Sequence, residues 1–187
     1  MAKVVSSDSP EALSLAVEVL SGGGVAVIPT DTVYGLAATL NHASAIGRIF
    51  DLKQRPRSKP LAVLVPGIET ATGLGVFLPE SLRMANEGWP GPLTLVVEAA
   101  SPLPQIGGDG TSVGLRVPDH PFTLEVLRRC GPLVATSANL SGMATQPTVD
   151  RVMEDFGERV DLYIDGGALA APPSKVISLL GDHKRLR

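Results

Sequence analysis

Short apolar runs alternate with amphipathic helical segments along the chain, and this alternation most constrains the fold. Residues 25–28, 61–65 and 93–98 are apolar runs that favour buried strands. Helical spacing of apolar side chains predicts a helix over residues 43–53, and Pro56 forces its end near Arg55. Because strands and helices interleave, the sequence predicts an α/β or α+β sheet domain.

Bulk composition predicts a single-domain protein spanning residues 1–187. With 44% hydrophobic residues the chain can bury a full core, and a net charge of -3 argues against binding nucleic acid by bulk charge. The one cysteine, Cys130, precludes an intramolecular disulfide, and its sequence context favours a buried thiol at a helix end over a nucleophile. We find neither a signal-peptide pattern nor an apolar run of the ~20 residues that span a bilayer. We therefore expect a cytoplasmic protein that does not bind membranes.

Polar side chains follow the first buried run. Pro29 cannot extend a strand ladder, and Thr30, Asp31 and Thr32 come directly after it. Hydroxyls and a carboxylate at a strand end suit recognition of a small molecule. The alternative is a polar turn in which Thr30 or Asp31 caps a helix.

Three further polar clusters also lie at or between strand-like runs. They are the segment 53–59 with four cations, the pair Ser112 and Arg116, and the hydroxyl-rich segment 136–141. A sheet that gathers strand ends would bring these clusters into one crevice, where the cations suit a polyphosphate and Arg116 suits a carboxylate. The alternatives are a solvated loop for the basic segment and a structural ion pair for Arg116.

Several common enzyme mechanisms find no support in the sequence. The three histidines are scattered, so we predict no metal site, and neither a nucleophile elbow nor a Walker A or dinucleotide motif occurs. A site made of cations and hydroxyls, with no evident general base, suits chemistry whose nucleophile is already anionic.

In order along the chain, these motifs resemble those of the YrdC-like threonylcarbamoyl-AMP synthases. The matching segments cover most of the chain and end near Ser174. They are Pro29-Thr-Asp-Thr-Val-Tyr-Gly-Leu36, Lys53-x-Arg55-Pro56, Pro60-Leu61, Trp89-Pro-Gly-Pro-Leu-Thr94, Val113-Gly-Leu-Arg-Val-Pro118 and Thr136-Ser-Ala-Asn-Leu-Ser-Gly142. The resemblance implies a single-domain twisted mixed β-sheet flanked by helices, of the YrdC/RibB-like type, with a positively lined concave substrate-binding face.

It also implies a reaction in which L-threonine, bicarbonate and ATP give L-threonylcarbamoyladenylate and pyrophosphate. A carbamate oxygen attacks the α-phosphorus, with Mg²⁺ accompanying ATP and with no tightly bound organic cofactor. The product serves a tRNA-modifying threonylcarbamoyl transferase complex, which modifies the adenosine beside the anticodon. Binding of tRNA or double-stranded RNA is a further implied property.

Site residues carry over motif by motif. The resemblance places Thr32, Arg116, Ser137 and Ser174 at L-threonine, and it makes Lys53 and Arg55 the catalytic residues. The residues that it places at ATP are Lys53, Arg55, Lys59, Ser112, Asn139, Thr148 and Arg187.

Two departures from the family pattern stand out. Many members carry a threonine-binding histidine where this chain has Leu64. We also expect the minimal, single-domain type of the family, without the long linker and second domain of larger members.

Two other functions stay open on the sequence. One is a carbamoyl-adenylate module like that of hydrogenase-maturation proteins, which normally adjoins zinc fingers that a chain with one cysteine cannot form. The other is an RNA-binding or ribosome-assembly factor without catalysis, for which the acidic net charge and the sparse aromatic residues are unfavourable.

Overall fold

A mixed sheet with helices on both faces organises the protein. The computed structural model describes residues 2–181 and 184–186. The strands of this part of the chain are β1 (Lys3–Ser6), β2 (Ala26–Ile28), β3 (Gly35–Thr39), β4 (Ala62–Leu64), β5 (Leu93–Glu98), β6 (Ser112–Arg116), β7 (Leu133–Ser137), β8 (Leu162–Asp165), β9 (Lys175–Ser178) and β10 (Lys184–Arg185). The α-helices are α1 (Ala12–Ser21), α2 (Ala43–Lys53), α3 (Ile68–Leu74), α4 (Pro79–Gly88), α5 (Pro121–Cys130) and α6 (Val149–Phe156).

All of these strands join one sheet in the order β1-β8-β2-β3-β7-β4-β6-β5-β9-β10. Four neighbouring pairs are parallel, namely β1/β8, β2/β8, β4/β6 and β5/β9, and the other pairs are antiparallel. The predicted mixed sheet flanked by helices is therefore confirmed.

One row of aligned residues explains why the sheet has an open concave region. The row crosses seven strands through Leu162, Ala26, Ala37, Ala135, Ala62, Gly114 and Val96. Side chains in register on neighbouring strands share a face of the sheet. The first four pack into a core with α1 and α5, whereas Ala62, Gly114 and Val96 line a cleft. The two helices thus cover one half of this face and leave the other half for a ligand.

The opposite face carries the larger core. Apolar residues of β3, β4, β6 and β7 alternate with those of the cleft face and pack against the buried side of α2, which includes Ile46, Ile49 and Phe50. This layer supports the sheet from behind, so residues on the cleft face are held on a rigid platform.

Some element bounds agree with the sequence-based predictions and others differ. Helix α2 and strand β5 have the predicted bounds, Ala43–Lys53 and Leu93–Glu98. Strand β3 was not predicted, and because it is the next element after residues 30–32, the alternative of a helix capped there is wrong. Cys130 ends α5 as predicted and is half-buried, and burial raises the pKa of its thiol.

Among the described helices, we find none that is both long and apolar enough to cross a membrane.

Candidate active site

The cleft on the open half of the sheet has a volume of about 560 Å³. Three cationic side chains, those of Arg55, Lys59 and Arg116, line it together with hydroxyl groups, whereas no described residue of its lining is an aspartate or a glutamate. The hydroxyl-bearing residues of the lining are Thr30, Tyr34, Ser58, Thr94, Ser112, Thr136, Ser137 and Ser174. A cleft with this lining is suited to an anionic ligand.

Arg116 is the most buried cation of the cleft. The period of two along β6 places Ser112, Gly114 and Arg116 on the cleft face. The Arg116 guanidinium donates through Nη2 to Asp31 Oδ1 at 2.5 Å and through Nη1 and Nη2 to Thr32 Oγ1 at 3.2 Å. Its Nε donates to the carbonyl of Gly91 at 3.0 Å. The structural ion pair that was the alternative prediction for Arg116 is therefore present, and the same guanidinium also lines the cleft.

The turn between β2 and β3 holds Thr32 and Asp31 against this guanidinium. Thr30 Oγ1 accepts the backbone N–H groups of Thr32 and Val33, each at 3.2 Å, and donates to the carbonyl of Val33 at 2.7 Å. A threonine hydroxyl that satisfies local backbone groups in this way fixes a tight turn. Thr32 is only 2% exposed and lies in contact with Arg116, so its predicted contact with threonine stays a prediction.

Tyr34 ties the cleft to the loop that follows β8. Its hydroxyl donates to the carbonyl of Gly167 at 2.6 Å and accepts the N–H of Gly166 at 3.0 Å. Burial is the main cause that raises the pKa of this phenol to about 12, so the hydroxyl stays protonated near neutral pH. The tyrosine therefore anchors the loop as a neutral donor.

Ser137, at the end of β7, lines the cleft, but the predicted catalytic Lys53 does not belong to the lining residues. Lys53 is 2% exposed, and its ammonium donates to the carbonyls of Ser137 at 2.5 Å and Asn139 at 2.6 Å. Asn139 is also buried, and its side-chain Nδ2 donates to the carbonyls of Leu140 and Met143. Its Oδ1 is buried and has no hydrogen-bond partner among the described residues.

The basic segment after α2 splits between the cleft and the protein surface. Arg55 and Lys59 line the cleft, and the Arg55 side chain also donates to the carbonyls of Lys59 and Pro60. Arg57 instead lies over the ring of Phe50, with 4.9 Å between its Cζ and the ring centroid. Two of the segment's cations thus line the cleft, and residues 56–60 of the same segment are also exposed to solvent.

Ser174 lies in the cleft beside a residue that the sequence did not single out. Its Oγ is 3.1 Å from Thr94 Oγ1, and both side chains are buried. Thr94 belongs to the motif at residues 89–94, so its position on β5 was available in the sequence. What was missing is the pairing of β5 with β9, which brings the two hydroxyls together.

One predicted nucleotide residue lies apart from the cleft lining, and the position of another is not described. Thr148 occupies the N-cap position of α6 without a side-chain capping bond and does not belong to the cleft lining. Arg187 lies outside the described residues. Of the predicted site residues, the cleft lining thus contains Arg55, Lys59, Ser112, Arg116, Ser137 and Ser174. Thr32, Lys53 and Asn139 contact either a residue of the lining or the turn that follows β7.

Sequence comparison assigns the chain to a family. A family model named for Sua5, YciO and YrdC, and described as telomere recombination, matches residues 18–187. The chain belongs to the Sua5/YciO/YrdC family. A relative from Mycobacterium tuberculosis, named putative threonylcarbamoyl-AMP synthase, is 38% identical over 154 residues, which are 81% of this chain and 71% of the relative.

Solved structures of this family superpose on the whole chain. P. abyssi Sua5, solved in complex with L-threonine, aligns with a TM-score of 0.90 and 33% identity, covering 100% of this chain and 57% of Sua5. E. coli YciO aligns with a TM-score of 0.91 and 26% identity over 100% of this chain and 95% of YciO. The chain therefore spans about the length of YciO and little more than half of Sua5.

Leu64, the predicted departure from the family pattern, is an apolar residue at the cleft of this Sua5/YciO/YrdC protein. Leu64 lines the cleft and packs with α5 residues in the core beneath it. Among the described residues we find no group of three histidine, cysteine, aspartate or glutamate side chains placed to hold a metal ion.

Proposed function

We propose that the protein is an L-threonylcarbamoyladenylate synthase, which forms threonylcarbamoyl-AMP and pyrophosphate from L-threonine, bicarbonate and ATP. The observation that carries this proposal is the composition of the cleft, in which three cations and several hydroxyls surround one space. Relatives named threonylcarbamoyl-AMP synthase and a Sua5 structure with bound L-threonine support it.

We propose that the cleft has two ends, one with Arg116 as its cation and the other with Arg55 and Lys59. Arg116, Ser137 and Ser174 form the end that receives L-threonine, where Arg116 faces the carboxylate with Thr32 in support. Arg55, Lys59 and Ser112 receive the phosphates of ATP, with Asn139, Thr148 and Arg187 as further proposed nucleotide residues. ATP is anionic and L-threonine carries a carboxylate, which agrees with a lining of cations and hydroxyls.

This arrangement suits attack of a carbamate on the α-phosphorus of ATP. The carbamate carries its own negative charge, so the reaction needs no histidine base. The protein's task is to hold both reactants in line and to neutralise charge on the phosphates, which Arg55 and Lys59 can do.

Mg²⁺ is proposed as a partner of ATP rather than of the protein. The described cleft lining has hydroxyls but no carboxylates, and carboxylates are the usual protein ligands of this ion. Bound Mg²⁺ would neutralise the triphosphate and assist departure of pyrophosphate.

Downstream, we propose that the product is passed to a tRNA-modifying threonylcarbamoyl transferase complex. Direct binding of tRNA or double-stranded RNA and a cytoplasmic location belong to the same proposal. The named synthase relatives support the transfer step, and the exposed basic segment that contains Arg57 and Lys59 supports RNA binding.

The test is a turnover assay. The purified protein is incubated with ATP, L-threonine and bicarbonate, pyrophosphate is measured, and the acyl-adenylate is identified by mass. We expect pyrophosphate release that depends on threonine and bicarbonate. Release that ignores threonine would overturn the proposal, and release with carbamoyl phosphate in place of threonine would instead identify a carbamoyl-adenylate module. No turnover together with salt-sensitive RNA binding would identify an RNA-binding factor.

A further inference from the structure

Lys53 is a buried cation that lies outside the cleft lining. It is the last residue of α2, it is 2% exposed, and it does not belong to the cleft lining. Its ammonium donates to two backbone carbonyls, of Ser137 at 2.5 Å and of Asn139 at 2.6 Å. Charge-assisted bonds of this kind are among the stronger hydrogen bonds in proteins.

The end of α2 and the residues after β7 each donate hydrogen bonds to the other. We name residues 137–143 the β7 turn. The backbone N–H of Ser141 donates to the carbonyl of Lys53 at 3.0 Å, which complements the bonds from the ammonium. Within the turn, Asn139 Nδ2 donates to the carbonyls of Leu140 and Met143, each at 2.8 Å. The turn is therefore closed on itself and tied to the end of α2 by one residue.

The chain leaves Lys53 directly into the basic segment. Gln54 adopts a left-handed conformation with φ of 52°, and the N–H of Arg55 donates to the carbonyl of Phe50 at 2.9 Å. Arg55 then lines the cleft, as Ser137 does. Lys53 thus stands at the junction of two walls of the cleft, one basic and one rich in hydroxyls.

We propose that Lys53 is a positioning residue, which fixes the β7 turn against the end of α2, and that it is not a ligand of the nucleotide phosphates. This inference rests on the proposed function for its kinetic consequences, although its structural part does not. By holding Ser137 and Arg55 in fixed relation, Lys53 sets the geometry of the threonine end and of the phosphate end together. Misplacement of such groups by an ångström is enough to slow an enzyme severely.

Chemical labelling of the wild-type protein tests where the ammonium lies. An amine-reactive succinimidyl ester is applied with and without ATP, and modified lysines are quantified by mass spectrometry. Lys59, exposed in the same basic segment, is the internal control and should react in the free protein. We expect Lys53 to remain unmodified in both conditions. Rapid modification of Lys53 that ATP prevents would show a phosphate ligand and overturn the proposal.

Substitution separates positioning from phosphate binding. Lys53→Met replaces the aliphatic part of the side chain and removes its donors, and Arg57→Met removes a cation of the same segment that lies on Phe50. In Lys53→Met we expect the amides of the β7 turn to exchange with solvent about 10- to 100-fold faster, and the KM values for ATP and L-threonine to rise by similar factors. Arg57→Met should change neither quantity.

A Lys53→Met protein with native exchange in the β7 turn and a KM change for ATP alone would contradict the proposal. If this variant does not fold, the labelling of the wild-type protein decides the question. Both amide exchange and labelling are measured without turnover. A wild-type protein that fails the synthase assay would therefore overturn the proposed function and leave the structural role of Lys53 open to its own test.

Discussion

Arg116 and Asp31 form an ion pair at 2.5 Å whose side chains are only 7% and 12% exposed. The two residues are 85 positions apart in the chain, on β6 and on the turn before β3. Their contact fixes that turn to the floor of the cleft, so the same guanidinium that we assign to threonine also stabilises the fold.

Removal of the Asp31 carboxylate should destabilise the protein. In Asp31→Ala the buried guanidinium loses its counter-ion, and we expect the free energy of unfolding to fall by about 3 kcal/mol or more, measured by urea denaturation. The exposed pair Arg83–Glu87, with side chains 62% and 63% exposed, supplies the control. Glu87→Ala should cost about 1 kcal/mol at most. Equal effects of the two substitutions would show that the Arg116–Asp31 pair is solvated.

Arg116 should affect threonine more than ATP. We expect Arg116→Lys to raise the KM for L-threonine about tenfold or more, because a lysine cannot reproduce the two-pronged contact with a carboxylate. The KM for ATP should change much less. Arg55→Ala should show the opposite pattern, because removal of the Arg55 guanidinium should mainly impair the use of ATP. An unaltered threonine KM in Arg116→Lys would refute the assignment to the threonine carboxylate.

Local sequence signals predicted many of the elements, and their failures have physical causes. Helix α2 was predictable because its apolar period and Pro56 agree on its extent. Strand β3 was missed because its sequence, Gly-Leu-Ala-Ala-Thr, is rich in small residues with little preference for strands. It forms because β2 and β7 pair with it on both sides, and that pairing is a property of the tertiary fold.

The same limit applies to the site. Polar clusters at strand ends predicted that residues from four distant segments would meet, and the cleft brings most of them together. The sequence could not show which side chains reach the cleft. The Lys53 ammonium binds the carbonyls of Ser137 and Asn139, which are 84 and 86 positions later in the chain. Asp31, the partner of Arg116, is 85 positions from it in the chain.

Gly114 keeps the cleft floor open, and filling it should impair activity without unfolding the protein. A Cβ at this position would lie 3.4 Å from Thr94 Cγ2 and 3.7 Å from Val96 Cγ2, which are ordinary van der Waals contacts on the cleft face. We expect Gly114→Val to reduce kcat/KM on the order of tenfold while thermal stability stays within a few degrees. Gly73→Ala, at a helical position with open space around it, is the control. Native activity in Gly114→Val would place the substrates elsewhere.

Tyr34→Phe should loosen the loop after β8. The substitution removes the hydroxyl that binds the backbone of Gly166 and Gly167. We expect a loss of about 0.5–1.5 kcal/mol in unfolding free energy and faster amide exchange at Gly166. Peptides from α2 should exchange as in the wild type. A variant with native exchange at Gly166 would show that the Tyr34 hydroxyl does not anchor this loop.

Lys53 should give the protein a distinctive dependence of stability on pH. Burial, followed by repulsion from Arg55, lowers the pKa of the Lys53 ammonium from 10.5 to about 8. Between these two values the folded protein has lost the proton and the unfolded chain keeps it, so unfolding takes up a proton. Raising the pH through this window therefore disfavours unfolding, whereas below it the cost of burying the charge is present in full.

The measurement is the difference in unfolding free energy between wild type and Lys53→Met, taken by urea denaturation at intervals from about pH 7 to about pH 10. We expect the difference to be constant below pH 8 and then to change in favour of the wild type by on the order of 1–3 kcal/mol. Arg57→Met is the control, because an arginine does not titrate in this range and its difference should stay flat. A flat difference for Lys53→Met as well would show that the ammonium keeps its ordinary pKa, and it would contradict the lowering of this pKa by burial.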